Sequence, residues 1–275
     1  MHSAMFFSSL KVVTMAATVE RMVEAYHPAT IPRLSRRPLL SEKPLRSYLV
    51  FLLLVTVKLF ARVFYRVDMR FLEDVPGDPW GHHQVVAVLH HTSLYEALFA
   101  GGCPVRFLWR IARHGVVPIA QKTADRALVG RFYGLIANRV VSITRERDET
   151  WEAVLAEVDP DAMVILFPEG RMKRANGLDA TGKPMTVRGG IADLLEAIGT
   201  GTMLLAYSGG LHHVHAPGQR WPRLFKRIRM NLEVVDIAAY NAARLAEGGG
   251  DPRGYRRAVV ADLERRRDEL CPGLD

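Results

Sequence analysis

After the break Pro76-Gly77-Asp78-Pro79, short apolar runs alternate along the chain with longer amphipathic stretches. The runs are rich in Val, Ile and Leu, which is typical of buried strands. They cover residues 85–89, 105–109, 139–143, 163–167, 202–207 and 230–237. Apolar residues recur at helical spacing in 123–136, 148–158, 187–198 and 253–270. This alternation predicts an α/β fold with a central, mostly parallel or mixed sheet flanked by helices.

The segment before this break has a different pattern. Its apolar run 49–57 is shorter than the roughly 20 residues that a membrane-spanning helix needs. It continues with Lys58, Arg62 and Arg66 at every fourth position, which would place these cations on one face of a helix. We therefore predict an interfacial helix with apolar side chains among acyl chains and cations at lipid phosphates. A helix packed on the domain with a solvated basic row, or a single span over 47–65, are alternatives.

Positive charge is concentrated in the same part of the chain. The formal net charge is +8 and the isoelectric point is near 9.7. Residues 33–66 contain eight Lys and Arg residues against one acidic residue, Glu42. Such an excess indicates an anionic partner, which composition alone leaves open among nucleic acid, phospholipid headgroups and a phosphorylated substrate.

The length of 275 residues and the 49% hydrophobic composition allow one large domain with N-terminal additions. We divide the chain into an extension (1–30), a basic membrane-docking segment (31–68) and the main domain (69–275). The extension has no long apolar stretch and no clear cleavage site, so no signal peptide is predicted. Two cysteines far apart, Cys103 and Cys271, indicate neither a disulfide framework nor a zinc site, and they fit a reducing compartment.

The first candidate for chemistry follows the strand predicted at 85–89. Ser93-Leu94-Tyr95-Glu96 has the S-x-x-E pattern of a capping box, which predicts a helix beginning at Ser93. In one continuous helix, Glu96 would lie about 140° around the axis from His91. A helix that begins at Ser93 instead lets the carboxylate reach back to the imidazole. A carboxylate on one ring nitrogen leaves the other free to accept a proton from a hydroxyl. His91 is thus a candidate general base, with Glu96 as its orienting acid or only as a helix cap.

The second candidate is the turn that follows the strand at 163–167. Pro168 and Gly170 force a turn, and three cations follow within four residues, which favours an anionic ligand. Arg145 follows the strand at 139–143. Because α/β folds bind ligands at the carboxyl ends of their strands, we expect His91, Arg145 and the turn 167–174 to converge on one crevice. Each cation taken singly could equally be a solvated surface residue.

In their order and spacing, these motifs resemble those of the glycerolipid acyltransferase family, whose type member is 1-acylglycerol-3-phosphate acyltransferase. The resemblance covers roughly residues 70–240 and rests on His91-x4-Glu96, Arg145, Phe167-Pro168-Glu169-Gly170 and Arg188-Gly189-Gly190. It implies that His91 is the general base and that the F-P-E-G block helps to bind the acceptor phosphate. The segment before the first block also looks like the membrane-docking region of that family.

The chain departs from the family pattern in three places. Glu96 stands where the family usually has aspartate, which keeps the carboxylate but adds a methylene. The third block usually reads F-P-E-G-T-R-S, whereas here Arg171 directly follows Gly170 and moves the arginine one place earlier. The fourth apolar block, 203–207, lacks the usual proline.

The resemblance implies an acyltransferase of phospholipid biosynthesis, acting on the cytoplasmic face of the inner membrane as a monotopic or single-pass protein. It would acylate 1-acylglycerol 3-phosphate to phosphatidate, using acyl-CoA or acyl carrier protein as donor and no cofactor, metal or nucleic acid. Its implied catalytic residues are His91 and Glu96. Its implied acceptor-binding residues are Arg145, Phe167, Pro168, Glu169, Gly170, Arg171, Lys173 and Arg174. Another lysophospholipid or lyso-aminolipid acceptor, or a catalytically silent lipid-binding relative, are the alternatives.

Other signals favour plainer interpretations. Ser93 lacks the G-x-S-x-G pattern of a serine hydrolase. His212-His213-x-His215 has no companion carboxylate or cysteine, so a loop cluster is favoured over a metal site. The basic stretch 220–229, with Trp221 and Phe225 interleaved, favours lipid headgroups over nucleic acid because a membrane helix is already predicted.

Overall fold

A mixed sheet of seven strands organises the part of the chain that the computed structural model describes, residues 44–121, 139–144, 149–216 and 219–273. Its strand order is β1-β7-β6-β2-β5-β3-β4, and only the pairing of β6 with β7 is antiparallel. The strands are β1 (Arg66–Phe71), β2 (Val85–Leu89), β3 (Gly115–Ala120), β4 (Arg139–Ile143), β5 (Met163–Leu166), β6 (Thr202–Ser208) and β7 (Arg227–Asp236). The predicted α/β class and mixed sheet are thereby confirmed. Because β6, β2, β5, β3 and β4 run in one direction, their carboxyl ends share one edge of the sheet.

The described helices flank this sheet. They are α1 (Pro44–Phe64), a 3-10 helix (Glu96–Gly101), α2 (Val105–His114), α3 (Glu149–Ala156), α4 (Gly190–Ile198), α5 (Ile237–Glu247) and α6 (Pro252–Leu270). The helices predicted at 148–158, 187–198 and 253–270 are thus confirmed, whereas 123–136 lies outside the described residues. Helix α6 begins where expected because the Asp251 side chain accepts hydrogen bonds from the backbone of Arg253 and Gly254, with proline in the first turn.

The predicted strands differ from the observed ones at one wrong assignment and two omissions. The strand predicted at 105–109 is wrong: α2 occupies it, and Phe107, Leu108 and Ala112 are buried along one helical face. Strand β3 was not predicted, and it contains Pro118, a residue type that is unusual in a central strand. Pro118 is tolerated there because β3 pairs with β5 only at Gly115 and Val116, so the proline lies beyond that ladder. Strand β1 and helix α5 were also not predicted.

Alternate residues of the strands divide the core between the two faces of the sheet, as the two-residue period of a strand requires. On one face, Val85, Ala87 and Leu89 of β2 pack with buried residues of α4, α5 and α6. On the other face, Val86 packs in a cluster with buried residues of α1, the 3-10 helix and α2. The sheet is therefore covered by helices on both faces, which leaves its carboxyl edge as the place for a site.

Helix α1 is apolar on both of its sides. Its inner side packs into the core through Val50, Leu54 and Ala61. By length and composition, its segment Leu45–Phe64 would suffice to cross a membrane. Its outer side exposes large side chains, with exposed fractions from 40 to 71%: Leu45, Tyr48, Leu49, Leu52, Leu59, Phe60 and Val63. Helix α1 is therefore both a part of the core and an uncovered apolar surface.

The predicted row of three cations on one exposed helical face is wrong. Lys58 is buried, and its Nζ donates to the backbone carbonyls of Gly101 and Cys103 at 3.1 and 2.6 Å. Arg66 lies in β1, beyond the end of α1. Arg62 remains exposed on the helix. Lys58 thus fastens α1 to the end of the 3-10 helix instead of reaching toward a lipid.

We expect Lys58→Ala to lower the free energy of unfolding by about 2–4 kcal/mol, because it leaves two buried carbonyls without a donor and removes packed methylenes. Arg62→Ala, which removes an exposed cation from the same helix, should change it by less than about 0.5 kcal/mol. Urea titration of both variants, followed by tryptophan fluorescence, measures the difference. Equal losses in the two variants would contradict the structural role of Lys58.

Candidate active site

The end of β2 is held by a buried carboxylate from the turn that follows β5. The two oxygens of Glu169 accept the backbone N–H groups of His90 and His91 at 3.2 and 2.8 Å, and Glu169 is only 1% exposed. His90 adopts a left-handed backbone conformation with φ of 65°, a region in which histidine is enriched over most residues. This turn directs both N–H groups toward one carboxylate. The ends of β2 and β5 are therefore joined at the carboxyl edge of the sheet.

The His90 side chain ties the same turn to β6. Burial lowers the pKa of His90, which keeps its ring neutral at neutral pH. Its Nδ1 lies 2.9 Å from the carbonyl oxygen of Ser208, and because a carbonyl only accepts, Nδ1 carries the proton. Thr92 adds a second tie, since its Oγ1 accepts the backbone N–H of Leu211 at 2.7 Å. Three neighbouring strand ends thus fix the backbone around His91.

His91 and Glu96 lie in contact, as their spacing predicts. His91 Nδ1 is 3.2 Å from Glu96 Oε1, and Glu96 is buried. The same oxygen accepts the backbone N–H groups of Thr92 and Ser93, each at 2.9 Å. The carboxylate therefore caps the turn and also faces the imidazole. The helix differs from the prediction in type and start, because a 3-10 helix begins at Glu96 itself.

The F-P-E-G turn surrounds His91. The Phe167 ring packs on the imidazole with 4.3 Å between ring centroids, and the backbone N–H of Lys173 donates to the His91 carbonyl at 2.8 Å. The side chain of His91 remains 12% exposed, so the ring is confined but reachable. The expected meeting of His91 with the turn 167–174 is thus observed. Arg145, the third member of the expected crevice, lies outside the described residues.

The structure gives Glu169 a different place from the one the resemblance implies. Its two carboxylate oxygens face the backbone of His90 and His91, so they do not face an acceptor phosphate. Arg267 of α6 supports the carboxylate from behind, with Nη1 3.5 Å from Glu169 Oε1 and 3.2 Å from the carbonyl of Met185. Pro168 is buried as well. Glu169 and Pro168 therefore belong to the protein interior beside the end of β2, and the sequence carries no signal for Arg267.

The cations of the turn are not equivalent. Arg171 forms an ion pair with the buried carboxylate of Asp179, and its Nη2 lies 3.4 Å from Thr186 Oγ1. Hydrogen bonds from the Lys183 backbone, from Thr181 and from Arg171 hold the pKa of Asp179 well below its usual range. The positive charge of Arg171 is therefore balanced by Asp179 within the protein.

Three other cations lie on or beside the turn. Lys173 is half-buried, and Arg174 and Arg188 are exposed. Arg188 donates its backbone N–H to the Pro168 carbonyl at 2.8 Å, and its side chain passes close to Gly170. Gly170 has φ of 61°, a conformation that favours glycine. Arg188 was part of a motif in the sequence, but its place beside the turn emerges only from the fold.

The residues set aside on sequence grounds have structural partners. Ser93 is fully buried, and its Oγ accepts the backbone N–H of Tyr95 at 3.3 Å. Burial raises the pKa of Cys103 and Cys271 to about 12, which makes both thiols poor nucleophiles. Each histidine of the H-H-x-H cluster forms a hydrogen bond from Nε2 to a different backbone carbonyl. The carbonyls are those of Lys173 for His212, Arg227 for His213 and Gln219 for His215. Within the described residues, no group of three or more His, Cys, Asp or Glu side chains could hold a metal ion.

Comparison with known proteins identifies the fold. No family model matches the sequence, and no curated protein matches it either. The chain is similar in structure to the crystal structure of the 1-acyl-sn-glycerophosphate (LPA) acyltransferase PlsC from Thermotoga maritima, with a TM-score of 0.50 and 17% sequence identity. The similarity covers 96% of this chain and 92% of that chain. The resemblance read from the motifs is therefore confirmed at the level of architecture: the chain has the fold of a glycerolipid acyltransferase.

Proposed function

We propose that this protein transfers a fatty acyl group from an acyl thioester to the free hydroxyl of a lysophospholipid, with 1-acylglycerol 3-phosphate as acceptor and phosphatidate as product. The observation that carries the proposal is the 3.2 Å contact of His91 Nδ1 with Glu96 Oε1 at the end of β2. It lies at the carboxyl edge of an α/β sheet, where such folds bind ligands. The fold of a lysophosphatidate acyltransferase supports the same assignment.

In the proposed reaction, Glu96 keeps a proton on His91 Nδ1 and leaves the lone pair of Nε2 for the acceptor hydroxyl. As Nε2 takes the hydroxyl proton, the oxygen attacks the thioester carbonyl carbon and forms the new ester C–O bond. The C–S bond then breaks, and the proton on Nε2 passes to the departing thiolate. The base is restored without a covalent enzyme intermediate. The donor is acyl-CoA or acyl carrier protein, and the scheme needs no cofactor.

For the acceptor phosphate, we propose Lys173, Arg174 and Arg188 as direct contacts, with Arg145 in the role that the resemblance implies. Arginine suits this task because its planar guanidinium binds two phosphate oxygens at once. Arg171, paired with Asp179, would instead hold the loop that presents these cations.

A second acceptor class has one observation in its favour. The pairing of Arg171 with Asp179 removes a free positive charge from the turn, in a block that departs from the family pattern. A site with fewer unpaired cations has a weaker preference for an acceptor that carries a phosphate monoester. Another lysophospholipid, or a lyso-aminolipid, is therefore the alternative acceptor for the same chemistry.

We also propose that the outer side of α1 lies in the cytoplasmic interface of the inner membrane. Its exposed apolar side chains suit the acyl region, and both the lipid substrate and the product reside in the bilayer. A monotopic arrangement is favoured over a span because Val50, Leu54 and Lys58 on the inner side are buried against the protein.

The roles of His91 and Glu96 are testable by thiol release from acyl-CoA in mixed micelles with lysophosphatidate, with the product identified by mass. His91→Ala should lower kcat about 1,000-fold, because it removes the base. Glu96→Gln keeps an oxygen for the two backbone donors but no longer fixes the tautomer, so kcat should fall about 100-fold. Its free energy of unfolding should fall by only about 1 kcal/mol.

Undiminished turnover in Glu96→Gln would reduce Glu96 to a cap of the 3-10 helix. Undiminished turnover in His91→Ala would contradict the mechanism. If the unaltered protein binds lysolipids but releases no thiol with any acceptor in a panel of lysolipids, it is the catalytically silent relative.

The phosphate contact of Arg188 is testable by comparing acceptors with and without a phosphate monoester. Arg188→Gln should raise KM for lysophosphatidate about 10-fold with little change in kcat, since it removes one charge-assisted contact. It should leave KM for a monoacylglycerol unchanged. Arg253→Gln, an exposed cation of α6, is the matched control. An equal rise in KM for both acceptors would remove Arg188 from the phosphate site.

Arg267 is a positioning residue in this scheme, because it acts on the base only through Glu169. Arg267→Gln should lower the free energy of unfolding by about 1–3 kcal/mol. It should also lower kcat about 10-fold at nearly constant KM, because the backbone of His90 and His91 loosens. Arg267→Lys should restore part of kcat, and Arg253→Gln, an exposed cation in the first turn of α6, should change neither quantity. A loss of stability with kcat unchanged would show that Arg267 has a structural role alone.

A further inference from the structure

The segment 219–226, which leads into β7, exposes large aromatic side chains to solvent. We call it the aromatic loop. Trp221 is 74% exposed and Phe225 is 73% exposed, and Leu224 between them is partly exposed. In water-soluble proteins, aromatic side chains of this size are usually buried. Clusters of exposed apolar side chains mark binding surfaces.

The aromatic loop is fixed to the end of α1. The backbone N–H of Phe225 donates to the Phe64 carbonyl at 2.7 Å, and that of Arg66 donates to the Lys226 carbonyl at 3.0 Å. The Phe225 ring lies 5.9 Å from the Phe64 ring, which lies 4.8 Å from the Phe60 ring. The loop therefore continues the exposed apolar side of α1 past the end of the helix.

The backbone of the loop is strained at its most exposed ring. Phe225 has φ of 60°, a left-handed conformation that is unfavourable for a bulky side chain. A glycine would adopt it without this cost. Within the protein, the ring contact to Phe64 offsets little of the strain, because most of the Phe225 side chain faces solvent. Strained backbone of this kind is found where a side chain is presented to a partner.

Cations alternate with these aromatic residues. Arg220, Arg223 and Lys226 are exposed, no acidic residue lies in 219–229, and within the described residues none of the three cations forms an ion pair. The Arg220 guanidinium lies 5.7 Å from the centre of the Trp221 ring. Tryptophan beside arginine or lysine is the composition of segments that lie at the headgroup level of a bilayer.

The loop is also connected to the surroundings of His91. The backbone N–H of Arg223 donates to the Val214 carbonyl at 2.7 Å. Two neighbours of Val214 reach the site, since the Leu211 backbone donates to Thr92 Oγ1 and His212 donates to the Lys173 carbonyl. A force that positions the loop therefore also positions the segment beside the base.

We propose that the aromatic loop is a second membrane anchor, which inserts Trp221 and Phe225 into the interface of an anionic phospholipid bilayer and places Arg220, Arg223 and Lys226 at lipid phosphates. The inference rests on the proposed docking of α1, whose exposed apolar side it extends. Nucleic acid fits this surface less well, because it offers nothing to cover the apolar side of α1. A helix lying in an interface can still roll about its own axis, and a second anchor at its end prevents this. The carboxyl edge of the sheet then keeps a fixed tilt toward the bilayer.

The test measures binding of the full-length protein to vesicles of phosphatidylcholine, with and without 30% phosphatidylglycerol. The double variant Trp221→Ala/Phe225→Ala should weaken binding about tenfold or more on both kinds of vesicle, because it removes inserted apolar area. The triple variant Arg220→Gln/Arg223→Gln/Lys226→Gln should weaken binding only to the anionic vesicles. Arg253→Gln, far along the chain on α6, should bind like the unaltered protein. Brominated lipids should quench a tryptophan signal that Trp221→Phe loses.

Phe225→Gly provides a readout that a merely structural role would not produce. It relieves the strained backbone, so it should raise the Tm while it weakens vesicle binding. Unchanged vesicle affinity in the double variant, an unquenched Trp221, or binding to single-stranded nucleic acid that is tighter than binding to vesicles would overturn the proposal.

Activity assays separate this proposal from the proposed function. The double variant should keep full turnover on a short-chain lysophosphatidate below its critical micelle concentration and should lose turnover on acceptor embedded in vesicles. If the unaltered protein releases no thiol with any acceptor but its vesicle binding depends on the loop, the proposed function fails and the anchor stands. If thiol release is normal and the double variant binds vesicles like the unaltered protein, the anchor fails and the proposed function stands.

Discussion

The site depends on one buried carboxylate. Glu169 accepts two consecutive backbone N–H groups at the end of β2, and such groups are costly to leave without partners in a protein interior. This arrangement fixes the peptide on both sides of His90, and with it the starting point of the His91 side chain. Arg267 offsets the charge that the carboxylate would otherwise hold alone. The carboxylate of the F-P-E-G block is therefore turned inward, where it holds the backbone that carries His91.

The sheet brings the remaining parts to the same place. Because β2 lies between β5 and β6 with all three parallel, the three chain segments that leave them emerge side by side. One segment supplies the imidazole, the next supplies its stacking partner and the cations, and the third supplies the carbonyl that holds His90. This convergence requires no unusual strand geometry, only connections that turn toward one another.

Much of this was predictable from the sequence where the interaction is local. Glu96 reaches His91 because a carboxylate at a helix start faces the preceding backbone, which the S-x-x-E pattern already indicates. The Glu169 contact joins residues 78 positions apart, and no local pattern encodes it. The exposed position predicted for Lys58 was wrong for a related reason. Periodicity gives the angle of a side chain around a helix, but the carbonyls of Gly101 and Cys103 that capture it come from another segment.

Helix α1 has a consequence for handling this protein. Its inner side chains complete the core on one face of the sheet, in the same cluster as β2, β6 and β7. Removing the residues up to position 65 to obtain a more soluble fragment would therefore uncover that core. Solubility would have to be sought by replacing the outward side chains one at a time, with the helix itself kept in place.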